Sequence, residues 1–227
     1  MTRTELAEFK STGAMHFAKV LGGSEVGQVG ALFGEGGRPG SRLTALDVEP
    51  IAHLLRRGGA IGAIAGNLIG TKARPVRAIL LDKSPDSNWR LGWHQDRTIA
   101  VQQRINVDGF GPWSVKSGQM HVQPPHEVTA GMVTLRVHVD DVDATNAPLE
   151  VLPGSHLTGR LSSDEVDRLA AAVPAMSCRA QVGDIWAYAT AIVHRSAEQR
   201  RPGRRRVLQV DFSAVDLPGG LRWAQLV

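Results

Sequence analysis

The stretch WHQDRT, residues 93–98, decides how this chain is read. On an extended strand, side chains two apart share a face. The imidazole of His94 and the carboxylate of Asp96 can then reach one ion while Gln95 turns away. A third ligand from a distant strand would complete a two-histidine, one-carboxylate face, the arrangement that suits a non-haem iron(II) with open coordination positions. Such a pair arises easily in a chain with eight histidines, and it occurs again as His138–Val139–Asp140. Residues elsewhere have to choose between the two.

His194 favours the first pair. It sits in AIVHRSAEQRRPGRRRVLQVDF, residues 191–212, between two expected strands. An oxygenase that uses 2-oxoglutarate must hold the free carboxylate of that co-substrate, and a planar guanidinium does so with two parallel hydrogen bonds. Arg205 lies eleven residues past His194, on the returning strand, with the parity of Val207 and Gln209. The crowd formed by Arg195, Arg200, Arg201, Arg204, Arg205 and Arg206 also admits two blander readings. It is a solvated basic loop, or a footprint for nucleic acid.

Around these residues the pattern is that of short strands. Segments 76–82 (VRAILLD), 98–105 (TIAVQQRI), 132–140 (MVTLRVHVD), 149–152 (LEVL), 184–190 (DIWAYAT) and 206–212 (RVLQVDF) are rich in β-branched and aromatic residues, and Pro, Gly, Asn and Asp separate them. Many strands without intervening helices point to a jelly roll with flanking helices, a mainly β, α+β chain. Ser162–Ser163–Asp164–Glu165 starts one helix, with Val166, Leu169 and Val173 on one face and Pro174 at its end. Residues 1–70 read as a helical part. Thr2 and Thr4 cap a helix through Lys10, and Asp47 caps another bearing Ile51, Leu54 and Leu55. Loose glycine-rich links are expected at 22–40 and 58–70.

At 227 residues, 42% hydrophobic and 21% charged, the chain is expected to fold as a single soluble domain, 1–227. Its lone cysteine, Cys178, excludes an internal disulfide and is expected to be inert. MTRTELAEFK lacks the pattern of a signal peptide, and no apolar run reaches the roughly 18–20 residues of a membrane span. The expected location is the cytoplasm.

Taken in order, HQD (94–96), GPW (111–113), NAPLEVLPGSH (146–156), GD (183–184), HRS (194–196) and Arg205 resemble the phytanoyl-CoA dioxygenase family over roughly residues 60–213. The resemblance implies a cupin-like double-stranded β-helix that uses iron(II), 2-oxoglutarate and O2. It implies His94, Asp96 and His194 as metal ligands and Arg205 as the anchor of the distal co-substrate carboxylate. Ser196 is implied as a hydroxyl helping that anchor, and Trp113 as a tryptophan near the co-substrate. His138–Asp140 is thereby demoted. Related halogenases have a small residue where this chain has Asp96, so the resemblance implies hydroxylation of a small molecule, anionic if the basic balance is a guide. A nucleic-acid demethylase and a non-catalytic jelly-roll binding protein are the alternatives.

Other polar residues divide more evenly. Arg136 either meets an anion in the barrel or pairs with Asp140 or Asp141. His121 and Gln123 read as loop-borne candidates for substrate contact, or as plain surface. His156 is expected to brace the PGSH turn, while Trp89 and Trp93 read as core.

Overall fold

The longest alternating segments become neighbours in the structure, because each has one apolar face to bury. The computed structural model describes residues 1–35, 39–201, 203–224 and 226–227. Its strands in chain order are β1 (Ala14–Phe17), β2 (Pro39–Leu43), β3 (Arg74–Lys83), β4 (Leu91–His94), β5 (Ile99–Val101), β6 (Trp113–Lys116), β7 (Gln119–Val122), β8 (Met132–His138), β9 (Leu149–Val151), β10 (Met176–Cys178), β11 (Ile185–Ala189), β12 (His194–Ser196) and β13 (Arg205–Ser213). A six-stranded sheet runs β1-β11-β8-β13-β3-β2 and a four-stranded sheet β10-β9-β12-β4. A smaller sheet, β5-β7-β6, flanks them. The pairings are antiparallel, as in the expected double-stranded β-helix.

The six-stranded sheet has two unlike faces. Ala78 and Leu80 of β3, Leu135 and Val137 of β8, and Leu208, Val210 and Phe212 of β13 form an apolar cluster with Phe9, Val29, Leu54, Leu55 and Ile61 from the N-terminal helices. Each such buried Val, Leu, Ile or Phe contributes about 1.5–3 kcal/mol. The alternate residues are polar yet buried: Lys83, Thr134, Arg136, His138, Arg205, Gln209 and Asp211. They face the barrel interior, which the four-stranded sheet closes with Leu149, Val151 and Cys178. Among these polar residues Arg136, His138 and Arg205 keep buried nitrogens without a partner among the described residues, which marks this interior as a candidate site, since buried polar atoms otherwise find partners.

The helices are α1 (Arg3–Thr12), α2 (Gly23–Gly30), α3 (Ala45–Val48), α4 (Ala52–Leu55), α5 (Ala60–Ile69), α6 (His126–Ala130) and α7 (Ser163–Ala172). Thr2 caps α1 in a reciprocal box with Glu5, and Ser162 caps α7 in the same way with Glu165. Four expectations need correction. The first seventy residues are not purely helical, for β1 and β2 form the two edges of the large sheet. Asp47 is not a cap but the third residue after one; Thr44 caps α3 and Asp47 reaches back to it. The glycine-rich link at 58–70 is largely α5, whose Gly62 lets its backbone approach α4: a Cβ there would stand 2.1 Å from the Arg56 carbonyl oxygen. Residues 36–38 of the other expected link lie outside the described residues. The strand expected at 98–105 shrinks to β5.

Candidate metal centre

β4 ends at His94, so Asp96 lies just beyond the strand rather than two positions along it. Convergence comes from pairing. β12 sits beside β4 with His194 directly opposite His94, and the two rings stand 4.3 Å apart between centroids. One ligand atom from each of His94, Asp96 and His194 lies within 4.8 Å of the others. Gln95 turns away as expected: its amide donates to the carbonyls of Gly159 and Ala191 and accepts from the Leu161 N–H, pinning the end of β4 to the approach to α7.

The two imidazoles are prepared as donors of the same kind. Nδ1 of His94 lies 2.7 Å from the Gly92 carbonyl oxygen, and Nδ1 of His194 lies 3.0 Å from that of Ile192. A carbonyl only accepts, so each Nδ1 carries the proton and each Nε2 presents its lone pair. Burial and the neighbouring His94 push His194 down to about 4, which keeps it neutral near pH 7. Burial opposes the charge of Asp96, yet the Arg77 guanidinium above all holds its carboxyl below the usual value. Arg77 Nη2 donates to Asp96 across 3.1 Å, and Arg77 Nε donates to the buried Asp211. Asp211 in turn accepts from Thr134 Oγ1 at 2.9 Å. Nothing in the 93–98 motif announces this chain of positioning groups. Its only trace in the sequence is a lone arginine in the apolar run 76–82.

The triad borders a cavity of about 480 Å³. Ser196, Arg136 and Gln209 line it, and so do Trp89 and Trp93, which by sequence belong to the core. Arg205 shares the face of β13 with Gln209 and is buried. It donates Nη1 to the Ala147 carbonyl, while its Nε and Nη2 have no partner, nor does the Ser196 hydroxyl, among the described residues. Burial and the nearby Arg136 push Arg205 down to about 9. Ser196 lines the cavity whereas Arg205 is not among its lining residues; a buried guanidinium with two spare donors is suited to a carboxylate.

Several expectations are overturned. Trp113 does not reach the cavity; Lys116 of β6 lines it, and Trp113, three residues away, falls on the other face and packs in the cluster of the small sheet. His121 is not loop-borne but lies on β7, fully buried. Arg136 pairs with neither Asp140 nor Asp141; it donates to Gln209 at 3.1 Å. His156 braces α1 rather than its own turn, through the Lys10 carbonyl. The second histidine–aspartate pair, already demoted on the sequence, does not come together: Asp140 is bound to Arg206 and both ring nitrogens of His138 face no partner among the described residues. Most of the arginine crowd is likewise spent internally, Arg195 on Glu150 and Arg204 on Asp82, which leaves little of a phosphate-binding stripe.

A family model described as phytanoyl-CoA dioxygenase (PhyH) matches residues 49–207, most of the chain and all of the elements just described from α4 to the start of β13. The chain belongs to the phytanoyl-CoA dioxygenase family. No curated protein sequence matches this family member significantly. Among solved structures, the α-ketoglutarate-dependent carbocyclase SnoK from nogalamycin biosynthesis is 16% identical, with a TM-score of 0.69 over all of this chain and 87% of the other. EctD from S. alaskensis, with 2-oxoglutarate and 5-hydroxyectoine, gives 16% identity and 0.70 over 95% and 77%. HygX from Streptomyces hygroscopicus, with nickel and 2-oxoglutarate bound, gives 17% and 0.65 over 94% and 87%. At such identities the likeness is one of fold. Among the described residues of the family member, no helix is long and apolar enough to cross a membrane.

Proposed function

We propose that this dioxygenase, which uses iron(II), 2-oxoglutarate and O2, holds its metal through His94, Asp96 and His194 and hydroxylates a C–H bond of a small molecule, with residues 1–227 acting as one catalytic domain. The observation that carries the reading is the meeting of two Nε2 lone pairs and one ionised carboxylate on the rim of a cavity. That donor set fits iron(II) and leaves positions open for co-substrate and oxygen.

Iron(II) with 2-oxoglutarate and O2 supplies the oxidising power, releasing succinate and CO2. The chain supplies position and charge. Arg205, through its free Nε and Nη2, and Ser196, through its hydroxyl, bind the distal carboxylate of the co-substrate and fix its direction. Arg77 keeps Asp96 ionised and aimed. Trp89, Leu91 and Trp93 wall the cavity and exclude water from the reacting region. Asp96 fills the position that chloride would need, which favours hydroxylation over halogenation.

Purified protein should bind a single iron(II) per chain, and His94→Ala, Asp96→Ala or His194→Ala should each abolish succinate formation. His138→Ala should leave iron binding intact. Loss of iron from His138→Ala with retention in His94→Ala would overturn the ligand set. With a substrate in hand, mass spectrometry of the product formed in chloride buffer should show a gain of one oxygen; a chlorinated main product would sink the assignment of hydroxylation.

A further inference from the structure

Two cations at the cavity remain unexplained by the metal or the co-substrate. Arg42 comes from β2, at the edge of the large sheet, and Lys116 from the end of β6 in the small sheet; both are half-buried and line the cavity. The two sheets are held together here, for the Gln119 side chain donates to the Leu43 carbonyl at 3.2 Å. Lys116 donates to the Thr98 hydroxyl at 3.0 Å, and the buried Nε of Arg42 has no partner among the described residues. Neither cation enters any ion pair among the described residues. Burial and neighbouring cations push both below their ordinary values, Arg77 in the case of Arg42, and Arg42 with Arg77 in the case of Lys116.

The charges around the site do not balance without a further anion. Iron(II), Asp96, the dianionic co-substrate and Arg205 sum to no net charge, and Arg77 is matched by Asp211. Arg42, Lys116 and Arg136 are left over, and the exposed Asp167, which also lines the cavity, offsets only one of them. Cations held together in a partly desolvated wall repel one another, which is costly unless an anion occupies the space between them. Arg97, also on the rim, is turned to the Leu161 carbonyl, so Arg42 and Lys116 are the pair whose charged ends are left free to meet a ligand.

We infer that Arg42 and Lys116 form a substrate subsite for an anionic head group, a carboxylate or a phosphate ester, so that this enzyme oxidises a small organic anion. The inference rests on the proposed function, because it places the head group beside a metal held by His94, Asp96 and His194. The cavity of about 480 Å³ suits a molecule of metabolite size.

The test uses the full chain loaded with redox-silent nickel(II) and saturating 2-oxoglutarate, so that the co-substrate position is already filled. Calorimetric titration with benzoate, phenyl phosphate and neutral benzamide then compares charge at nearly constant shape. At least one anion should bind saturably and at least about tenfold more tightly than benzamide, as expected for a charge-assisted contact. The tighter of the two anions identifies the head group. Arg42→Gln and Lys116→Met should each weaken the anion by about tenfold or more, with 2-oxoglutarate binding unchanged. Arg42→Lys should keep most of the affinity, and exposed Arg57→Gln should change nothing. Because each substitution removes a repelled cation, both should unfold at a urea concentration no lower than the parent. Equal binding of benzamide, no binding of either anion, or an equal loss in Arg57→Gln would overturn the subsite while leaving the metal and co-substrate reading intact. Failure of nickel and 2-oxoglutarate to bind the unmodified chain would instead strike the proposed function itself.

Discussion

Arg205 and Arg77 are both buried arginines, yet their surroundings assign them opposite roles. Arg77 is matched on both sides by Asp96 and Asp211, so removing it strands two carboxylates. Arg77→Met should lower iron(II) affinity by about 10–100-fold, as changes behind a ligand do, and also destabilise the fold; chelator competition measures the first. Arg77→Lys should recover part of the metal affinity, and an unchanged iron affinity in Arg77→Met would show that Asp96 does not need this support. Arg205 has no such match, only the Ala147 carbonyl. Arg205→Ala should therefore leave stability nearly intact while removing 2-oxoglutarate binding. Arg204→Ala and Arg206→Ala, which lose the ion pairs with Asp82 and Asp140, should bind the co-substrate normally. Comparable losses in all three, followed by titration, would mean that the run acts as a diffuse basic patch. Lysine should replace Arg205 poorly, because a point charge cannot reproduce the fork.

At the level of elements, what is legible in the sequence is whatever rests on local chemistry. The capping boxes at Thr2 and Ser162, the alternation of 132–140 and 206–212, and the ligand trio need only neighbours in sequence or a family pattern. What stays hidden depends on contacts made across the chain. β2 reads PGSRL, with no alternation at all, and is a strand because its backbone pairs with β3. The 58–70 segment reads as a loop because glycines penalise helices by roughly 1 kcal/mol each. α5 tolerates them, and Gly62 has a positive reason to be there. Gly62→Ala would drive a methyl group into the Arg56 and Leu55 carbonyls and should destabilise by about 1–3 kcal/mol in urea denaturation. Gly66 is the control, since a methyl group there would meet nothing within 4 Å; Gly66→Ala should stabilise by about 0.4–1 kcal/mol. If both substitutions behave alike, close helix approach is not what demands glycine at Gly62.

For the molecule as a whole, the barrel interior stores positive charge. Lys83, Arg136 and Arg205 are buried, with Lys83 directly opposite Arg205 on the paired strands β3 and β13, and none of the three forms an ion pair among the described residues. Lys83 donates to the Ala197 carbonyl and lies over the Trp89 ring, 4.5 Å from its centre. Burial, followed by Arg205 and Arg136, pushes its ammonium down to about 7. In the unfolded chain it returns to about 10.4. A cation whose value is depressed on folding destabilises the fold while it is protonated in both states, and this penalty is fully present below about pH 7. Between there and about pH 10.4 the unfolded chain binds the extra proton, so stability rises with pH across that window. Lys83→Met should remove this contribution and flatten the rise, which urea denaturation of both proteins from about pH 6 to about pH 10 will measure. The curves should diverge most at the acid end, with the variant the more stable. Saturating 2-oxoglutarate brings a carboxylate to Arg205 and so favours the protonated ammonium, which should shift the parent's rise toward higher pH. Parallel curves for parent and variant would show that Lys83 is not strained by its neighbours, and that the barrel tolerates its charge without an anion.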